Sequence, residues 1–514
     1  MKKLLILFCL YASTVEAQYF NVLKYGAKND SSVIATASIQ KAIAAAVKVG
    51  GGTVYFPAGK YLTGPIHLKS NITIFIDAGA ELHFSDQFDH YLPMVESRYE
   101  GVDVKSFSPL FYAYKAQNIA IKGRGIIDGH GKKWWDFVEG YKKDQPRSKW
   151  QFMFDSLNKN ILLPDDPAQM KRGFLRPPFI QPMYCKNILI EGITIRNSPF
   201  WTINPEFCEN VTINAVTITN PHSPNTDGIN PESCKYVHIS NCHISVGDDC
   251  ITIKSGKDIP GRTKAAPAED YTITNCTMLS GHGGVVIGSE MSGDVKKITI
   301  SNCIFDGTDR GIRIKTARGR GGVVEDIRVN NIIMKDIKES PFVLDMQYAK
   351  TTEEPVSIRT PQFKNIHYSN ISVVSAKNAG FINGLSEMPI ENISFSNIQI
   401  AAENGFVIQQ AKGISFHDVQ ITTKNGPSIT ANSVEELEID NVKSLLPLAN
   451  YPVMLFNKVN GAYVHNCWPV KATGTFIELK GAETKNITIK NNNFSAIAKP
   501  VLLQPGVVQN IMID

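Results

Sequence analysis

The chain has 514 residues, 43% of them hydrophobic and 20% charged, which excludes a disordered chain and supplies a large core. A net charge of +5, with no basic tract and no interleaving of aromatic with basic residues, excludes a nucleic-acid-binding reading. No stretch beyond the N-terminus reaches about 18 uninterrupted apolar residues, so no membrane span is predicted.

In chain order, Met1-Lys-Lys, the apolar run Leu4 to Tyr11 and Val15-Glu16-Ala17 have the three parts of a secretory signal peptide. Residues 1–17 are therefore predicted to be removed, and residues 18–514 to be exported to a periplasm or outside the cell. Phe8 before Cys9 argues against a lipid-modified cysteine. Apolar spacing from Thr36 to Lys48, closed by Gly50-Gly51-Gly52, predicts a helix that caps an open sheet edge. Thr53 to Pro57 is the first predicted strand. The stretch from about 140 to 182, rich in Pro, Lys, Asp and aromatics, reads as a long excursion and a candidate cleft wall.

Outside that excursion one pattern recurs: a polar pair, an alternating β-branched triplet, Asn, then a second triplet. Lys235-Tyr-Val-His-Ile-Ser-Asn241-Cys-His-Ile is one copy, and the Asn phase continues at Asn275, Asn302, Asn331, Asn370, Asn397, Asn441, Asn466 and Asn491. Gly192 and Ala215 take that phase in earlier copies. Strands this short bury an apolar face only by stacking, so the chain is predicted to be all-β, a single-stranded right-handed parallel β-helix in one domain. The Asn suits a left-handed bend and can bond to the Asn of the next coil. Cys242, Cys276, Cys303 and Cys467 replace Ile or Val of other copies, while Cys185, Cys208 and Cys234 share a second phase. In-register neighbours about 4.8 Å apart make poor disulfides, so these are expected to be free, buried thiols. The sequons at Asn210, Asn275, Asn392 and Asn486 are products of the repeat.

Four segments after the second triplet carry chemistry: Asn225-Thr-Asp-Gly-Ile229, Gly247-Asp-Asp-Cys-Ile251, Gly281-His-Gly-Gly-Val285 and Asp309-Arg-Gly-Ile312-Arg-Ile-Lys315. Setting Ile229, Ile251, Val285 and Ile312 level places Asp227 beside Asp249 and Asp248 beside His282. Lys254 and Lys315 then share a column. Stacked carboxylates resist joint ionisation and serve stability poorly, whereas glycoside hydrolysis needs a proton donor and a water-activating carboxylate. Arg313 and Lys315, alternating on one strand, offer a fork and a point charge to a sugar carboxylate. The expected partner is thus an acidic polysaccharide, met by a monomer without cofactor or metal. A bend or calcium ligand at the aspartates, and sugar stacking or plain packing at Trp134, Trp135 and Trp201, stay open as readings.

These four segments, in this order, resemble the signature motifs of the polygalacturonases, glycoside hydrolase family 28. Flanking Ile127-Asp-Gly-His-Gly131, Trp134-Trp135 and Asn197-Ser-Pro-Phe-Trp201 agree. The resemblance implies an inverting hydrolase of α-1,4-galacturonosyl bonds in pectin. It implies Asp248 as general acid, Asp227 and Asp249 as bases, and His282 as their essential neighbour. Arg313 and Lys315 would hold the sugar carboxylate on the leaving-group side, with Asn225 and Tyr348 contacting substrate. The alternatives are a rhamnogalacturonan or xylogalacturonan hydrolase on the same scaffold, a pectate lyase, and a non-catalytic pectin-binding solenoid.

Overall fold

Residues 18–142, 146–161, 175–220, 223–507 and 510–513 are described by a computed structural model. The segment read as a signal peptide, and residues 162–174 of the predicted excursion, lie outside them. Alternating side chains stack coil on coil into a right-handed parallel β-helix. One inward column runs without a break through Ile188, Val211, Val237, Tyr271, Ile298, Ile327, Ile366 and Ile393. Each of these residues is buried, and a fully buried aliphatic side chain contributes roughly 1.5–3 kcal/mol. A single coil cannot bury that face, so stacking and folding are one event.

Asparagine sets the bends. Asn241, Asn275, Asn302, Asn331, Asn370 and Asn397 all adopt left-handed backbone geometry, as do Gly192 and Ala215 at the same phase. Asn331 Nδ2 donates to Asn302 Oδ1 at 2.8 Å, and Asn397 Nδ2 to Asn370 Oδ1 at 2.7 Å. A second ladder, which the repeat reading did not separate, runs through the polar pair at the start of the first triplet. Asn118, Asn187 and Asn210 there are left-handed, and each donates to the Asn of the preceding coil at 2.8, 2.8 and 2.9 Å. All eight cysteines among the described residues are free and buried.

Helix α1 spans Thr36–Lys48 and turns Ile39, Ala42, Ile43 and Ala46 onto the end of the solenoid. Two strands precede it, which corrects the expectation that Thr53 opens the sheet. Tyr19–Asn21 pairs with Gly52–Phe56, and Asp30–Ile34 with Gly59–Thr63. With three and five largely exposed residues, neither shows an alternating apolar face, so backbone pairing alone defines them. The excursion also shifts. Helix α2 begins at Lys132 (Lys132–Lys142) and α3 follows (Lys149–Asn158). Coil pairing has resumed by Ile180–Met183, level with Phe111–Tyr114. A second departure was not foreseen: Val95–Tyr99 and Val102–Ser106 form an antiparallel hairpin among parallel strands.

If the left-handed bends carry stability, Asn397→Ala loses both the ladder bond and the tolerated geometry, about 1–2 kcal/mol, while Asn397→Gly loses less. Denaturant unfolding of the two variants checks the order; equal losses would remove the bend from the account.

Candidate active site

The register aligned from sequence is the register of the fold. Ile229 pairs with Ile251, Ile251 with Val285, and Val285 with Ile312. Two glycines permit the close approach. A Cβ on Gly228 would lie 2.5 Å from the Cys250 carbonyl oxygen. Gly281, at φ +150°, would meet the Asp248 carbonyl oxygen at the same distance. The consequence is a cleft of about 580 Å³ whose lining includes Asn225, Asp227, Asp248, Asp249, His282, Arg313, Lys315 and Tyr348. Every residue expected from the sequence to form the site is brought to it.

The three carboxylates occupy different surroundings. Asp227 is buried, and its Oδ2 accepts from Asn230 Nδ2 at 3.0 Å and from the Thr252 hydroxyl at 3.2 Å. Burial and the neighbouring charges of Asp248 and Asp249 push its carboxyl well above the usual range, against the pull of Lys254 and Lys315. Asp249 is also buried; Oδ2 accepts from Lys315 Nζ at 2.9 Å, while Oδ1 has no hydrogen-bond partner among the described residues. Asp248 stands nearer the mouth. Its Oδ1 takes the Asp249 amide at 3.0 Å and lies 3.1 Å from His282 Nδ1, and Asn225 Nδ2 reaches its Oδ2 at 3.4 Å. Burial raises the Asp248 carboxyl, but the His282 hydrogen bond and the charges of His282, Lys315 and Lys254 outweigh it and hold it low. The same hydrogen bond holds His282 above its ordinary value, against its partial burial.

The free site therefore places its proton affinity on Asp227 and His282 and keeps Asp248 ionised. Asp248, the expected proton donor, is thus held low by its neighbour His282 in the free site.

Arg313 and Lys315 face one way, both over the Tyr348 ring at 5.5 and 5.4 Å from its centre. Lys315 is already engaged by Asp249 at 2.9 Å, so Arg313, 4.0 Å from Asp249 and otherwise without a carboxylate among the described residues, is the freer cation. Lys254 belongs to the floor. It pairs with Glu290 at 2.7 Å beneath the Trp201 ring, 4.8 Å away. Trp201 thus borders the cleft, whereas Trp134 is packed among Phe88, Tyr91 and Phe107, and Trp135 donates to the Ser198 carbonyl.

Sequence reasoning missed Arg176, which donates to Asn225 Oδ1 at 2.8 Å and to the Pro224 carbonyl at 2.7 Å, fixing the Asn225 turn. It also missed Glu100, Lys257, Glu290 and Arg320, which line the same cleft. Arg176 sits at the returning end of the excursion and Glu100 on the hairpin, and both segments depart from the repeat. Away from the cleft, His83, Asp128 and His130 bring possible metal-binding atoms within 4.8 Å of one another. There the Asp128 oxygens are already taken by Arg196 and Asn197.

Comparison with known proteins decides the family. Residues 166–415 match glycosyl hydrolases family 28, and residues 19–143 match the group described as rhamnogalacturonase A/epimerase, pectate lyase-like. A probable polygalacturonase of Vitis vinifera is 30% identical over 401 residues, 76% of this chain and 75% of the relative. The chain belongs to glycosyl hydrolase family 28. It is a glycoside hydrolase, which sets aside the non-catalytic solenoid. An endo-polygalacturonase of Pectobacterium carotovorum subsp. carotovorum is 29% identical over 74% of this chain and 88% of the relative. The solved exopolygalacturonase of Thermotoga maritima superposes with a TM-score of 0.67 at 34% identity, over 75% of this chain and 87% of that one.

The pH dependence follows from sign. A carboxyl whose folded value is raised, as at Asp227, costs stability at every pH above the unfolded carboxylate range. Asp227→Asn should therefore raise Tm at pH 7, with the gain fading as pH falls below about 4, where the unfolded carboxylate is itself protonated. A thermal melt series across pH tests this; a lower Tm at pH 7 contradicts it.

Proposed function

We propose that this family 28 enzyme hydrolyses α-1,4-galacturonosyl bonds of pectin by single displacement with inversion. The observation that carries the reading is the stacking of Asp227 on Asp249, with Asp248 adjoining them, in one cleft with Arg313 and Lys315. A neutral glucan gives such a cation pair nothing to hold, whereas a uronate offers a carboxylate to the Arg313 fork. The named relatives are polygalacturonases, which supports the substrate class.

In the proposed reaction Asp248 gives a proton to the glycosidic oxygen as the bond from C1 breaks. Water held between Asp249 and Asp227 attacks C1 from the opposite face, and its proton passes to Asp249. Asp249 suits the base role, because Lys315 pairs with its Oδ2 and leaves Oδ1, which has no hydrogen-bond partner among the described residues, to accept from water. Asp248 suits the donor role by position, partly open at the mouth, where Asp227 is buried under Asn230 and Thr252. Its low proton affinity in the free site is met by His282. The pair carries one proton between them, held on the imidazole, and a glycosidic oxygen that displaces water from Asp248 draws it across 3.1 Å. Asn225 and Tyr348 contact the sugar, and Arg313 holds the carboxylate on the leaving-group side.

The raised carboxyl of Asp227 favours a second reading, with Asp227 as donor. Residues 1–17 are read as an export signal and residues 18–514 as one catalytic domain acting as a monomer outside the cytoplasm. A mature N-terminus at Gln18 in the exported protein is the check.

Proton NMR of the first product formed on oligogalacturonides tests the stereochemistry. Inversion predicts the β-anomer initially, and an initial α-anomer would overturn single displacement. Hydrolysis of rhamnogalacturonan with none of polygalacturonate would transfer the reading to the alternative substrate.

A further inference from the structure

The outward face of the catalytic strand stack is closed on one side of the carboxylates and open on the other. Gln181, Asn204, Asn230 and Thr252 stand level on successive coils and point away from the core column Ile180, Ile203, Ile229 and Ile251. Outward positions on a solenoid normally meet water, yet all four are 0% exposed. The hairpin Val95–Tyr99/Val102–Ser106 lies against them. Ser97 Oγ donates to Gln181 Oε1 at 2.7 Å, and Gln181 Nε2 donates to the Arg98 carbonyl at 3.2 Å and to Asn204 Oδ1 at 2.9 Å.

The hairpin is clamped there. Arg98, itself buried, is held by Glu206 at 3.1 Å and by Glu232, two carboxylates of adjacent coils. Tyr99 stacks on Phe200 with ring centres 4.2 Å apart. At the tip Glu100 enters the lining of the cleft, and Gly101 approaches so closely that a Cβ would lie 2.8 Å from the Lys257 amide nitrogen.

Past the carboxylates the same outward column continues as Val286, Arg313, Val343, Phe381 and Val407. From Arg313 onward it floors a groove of about 610 Å³ that shares Arg310, Arg313 and Glu339 with the cleft. Asn378 and Asn404 line one side of it, joined by a hydrogen bond at 3.1 Å. The groove thus leads from the carboxylates along the C-terminal coils, over an apolar floor with amide walls, while the hairpin covers the outward face of the N-terminal coils.

We infer that the enzyme works from the non-reducing chain end: the hairpin tip stops the chain just beyond the carboxylates, and the remaining polymer lies in the groove over Val343, Phe381 and Val407. This rests on the reading above, in which Arg313 and Lys315 take the leaving-group sugar. The terminal unit then occupies the space between the carboxylates and Glu100, Lys257 and Trp201.

Time-resolved sizing of products from polygalacturonate tests the inference. Monomer alone from the earliest times, with viscosity falling slowly relative to new reducing ends, is expected. A ladder of intermediate sizes overturns chain-end action while leaving galacturonan hydrolysis intact; no release from polygalacturonate overturns the functional reading and this inference with it. Oligogalacturonides tagged at the reducing end should shorten by one unit at a time with the tag always in the longer fragment, and a tag appearing first in monomer reverses the direction. Phe381→Ala should raise KM severalfold for a decamer and far less for a dimer. An equal change for both removes the groove from the proposal.

Discussion

The active cleft depends on strand register. In a parallel solenoid each residue is held level with one residue above and one below by the backbone ladder, and inward apolar columns oppose a slip, because a one-residue shift turns every side chain to the wrong face. Ile229, Ile251, Val285 and Ile312 form such a column, and their pairing places Asp227 beside Asp249 and Asp248 beside His282. The cleft's carboxylates are thus positioned by the hydrophobic core two residues away. The tight turns that let these rungs approach are supplied by Gly228 and Gly281, where a side chain would strike the neighbouring coil.

That placement works against stability, and the surroundings show how it is tolerated. Lys315 neutralises Asp249, His282 shares charge with Asp248, and Lys254 with Glu290 underlies the group. Asp227 alone of the three has no cation in direct contact among its described partners, and its carboxyl is pushed up accordingly. Unequal surroundings push chemically identical side chains in opposite directions, Asp227 up and Asp248 down, which is what acid and base roles on one sugar require. A second cluster of buried charge, Arg98 between Glu206 and Glu232, performs a different task by fastening the hairpin that closes the cleft.

The parts legible in the sequence were those tied to the repeat. The Asn bends, the thiol columns and the placing of Asp227, Asp248, Asp249, His282, Arg313 and Lys315 followed from counting positions against one apolar phase; α1 followed from its own helical spacing, and Asn225 and Tyr348 from resemblance. What escaped was what departs from it. The hairpin carries alternating Val102, Val104 and a Glu100-Gly101 turn, a local signal of antiparallel pairing that says nothing about which surface it covers. Arg176 reaches Asn225 only because the chain returns from the excursion beside that turn, and Glu290 meets Lys254 across coils through a connection of irregular length. The electrostatic order of the aspartates was illegible for a similar reason. Spacing tells which carboxylates are neighbours, whereas their proton affinities depend on burial and on cations contributed from other coils.

The division of labour among the three aspartates is the central claim, and leaving-group dependence tests it most directly. Kinetics of Asp248→Asn and Asp227→Asn would be compared on polygalacturonate and on a galacturonide whose leaving group is an acidic phenol, which departs without protonation. Asp248→Asn should lose about 10²–10⁴-fold in kcat on the polymer, the usual worth of a general acid, and recover most of it on the phenol substrate. Asp227→Asn should stay impaired on both. Recovery by Asp227→Asn, with Asp248→Asn impaired on both, would contradict the account and make the buried aspartate the donor.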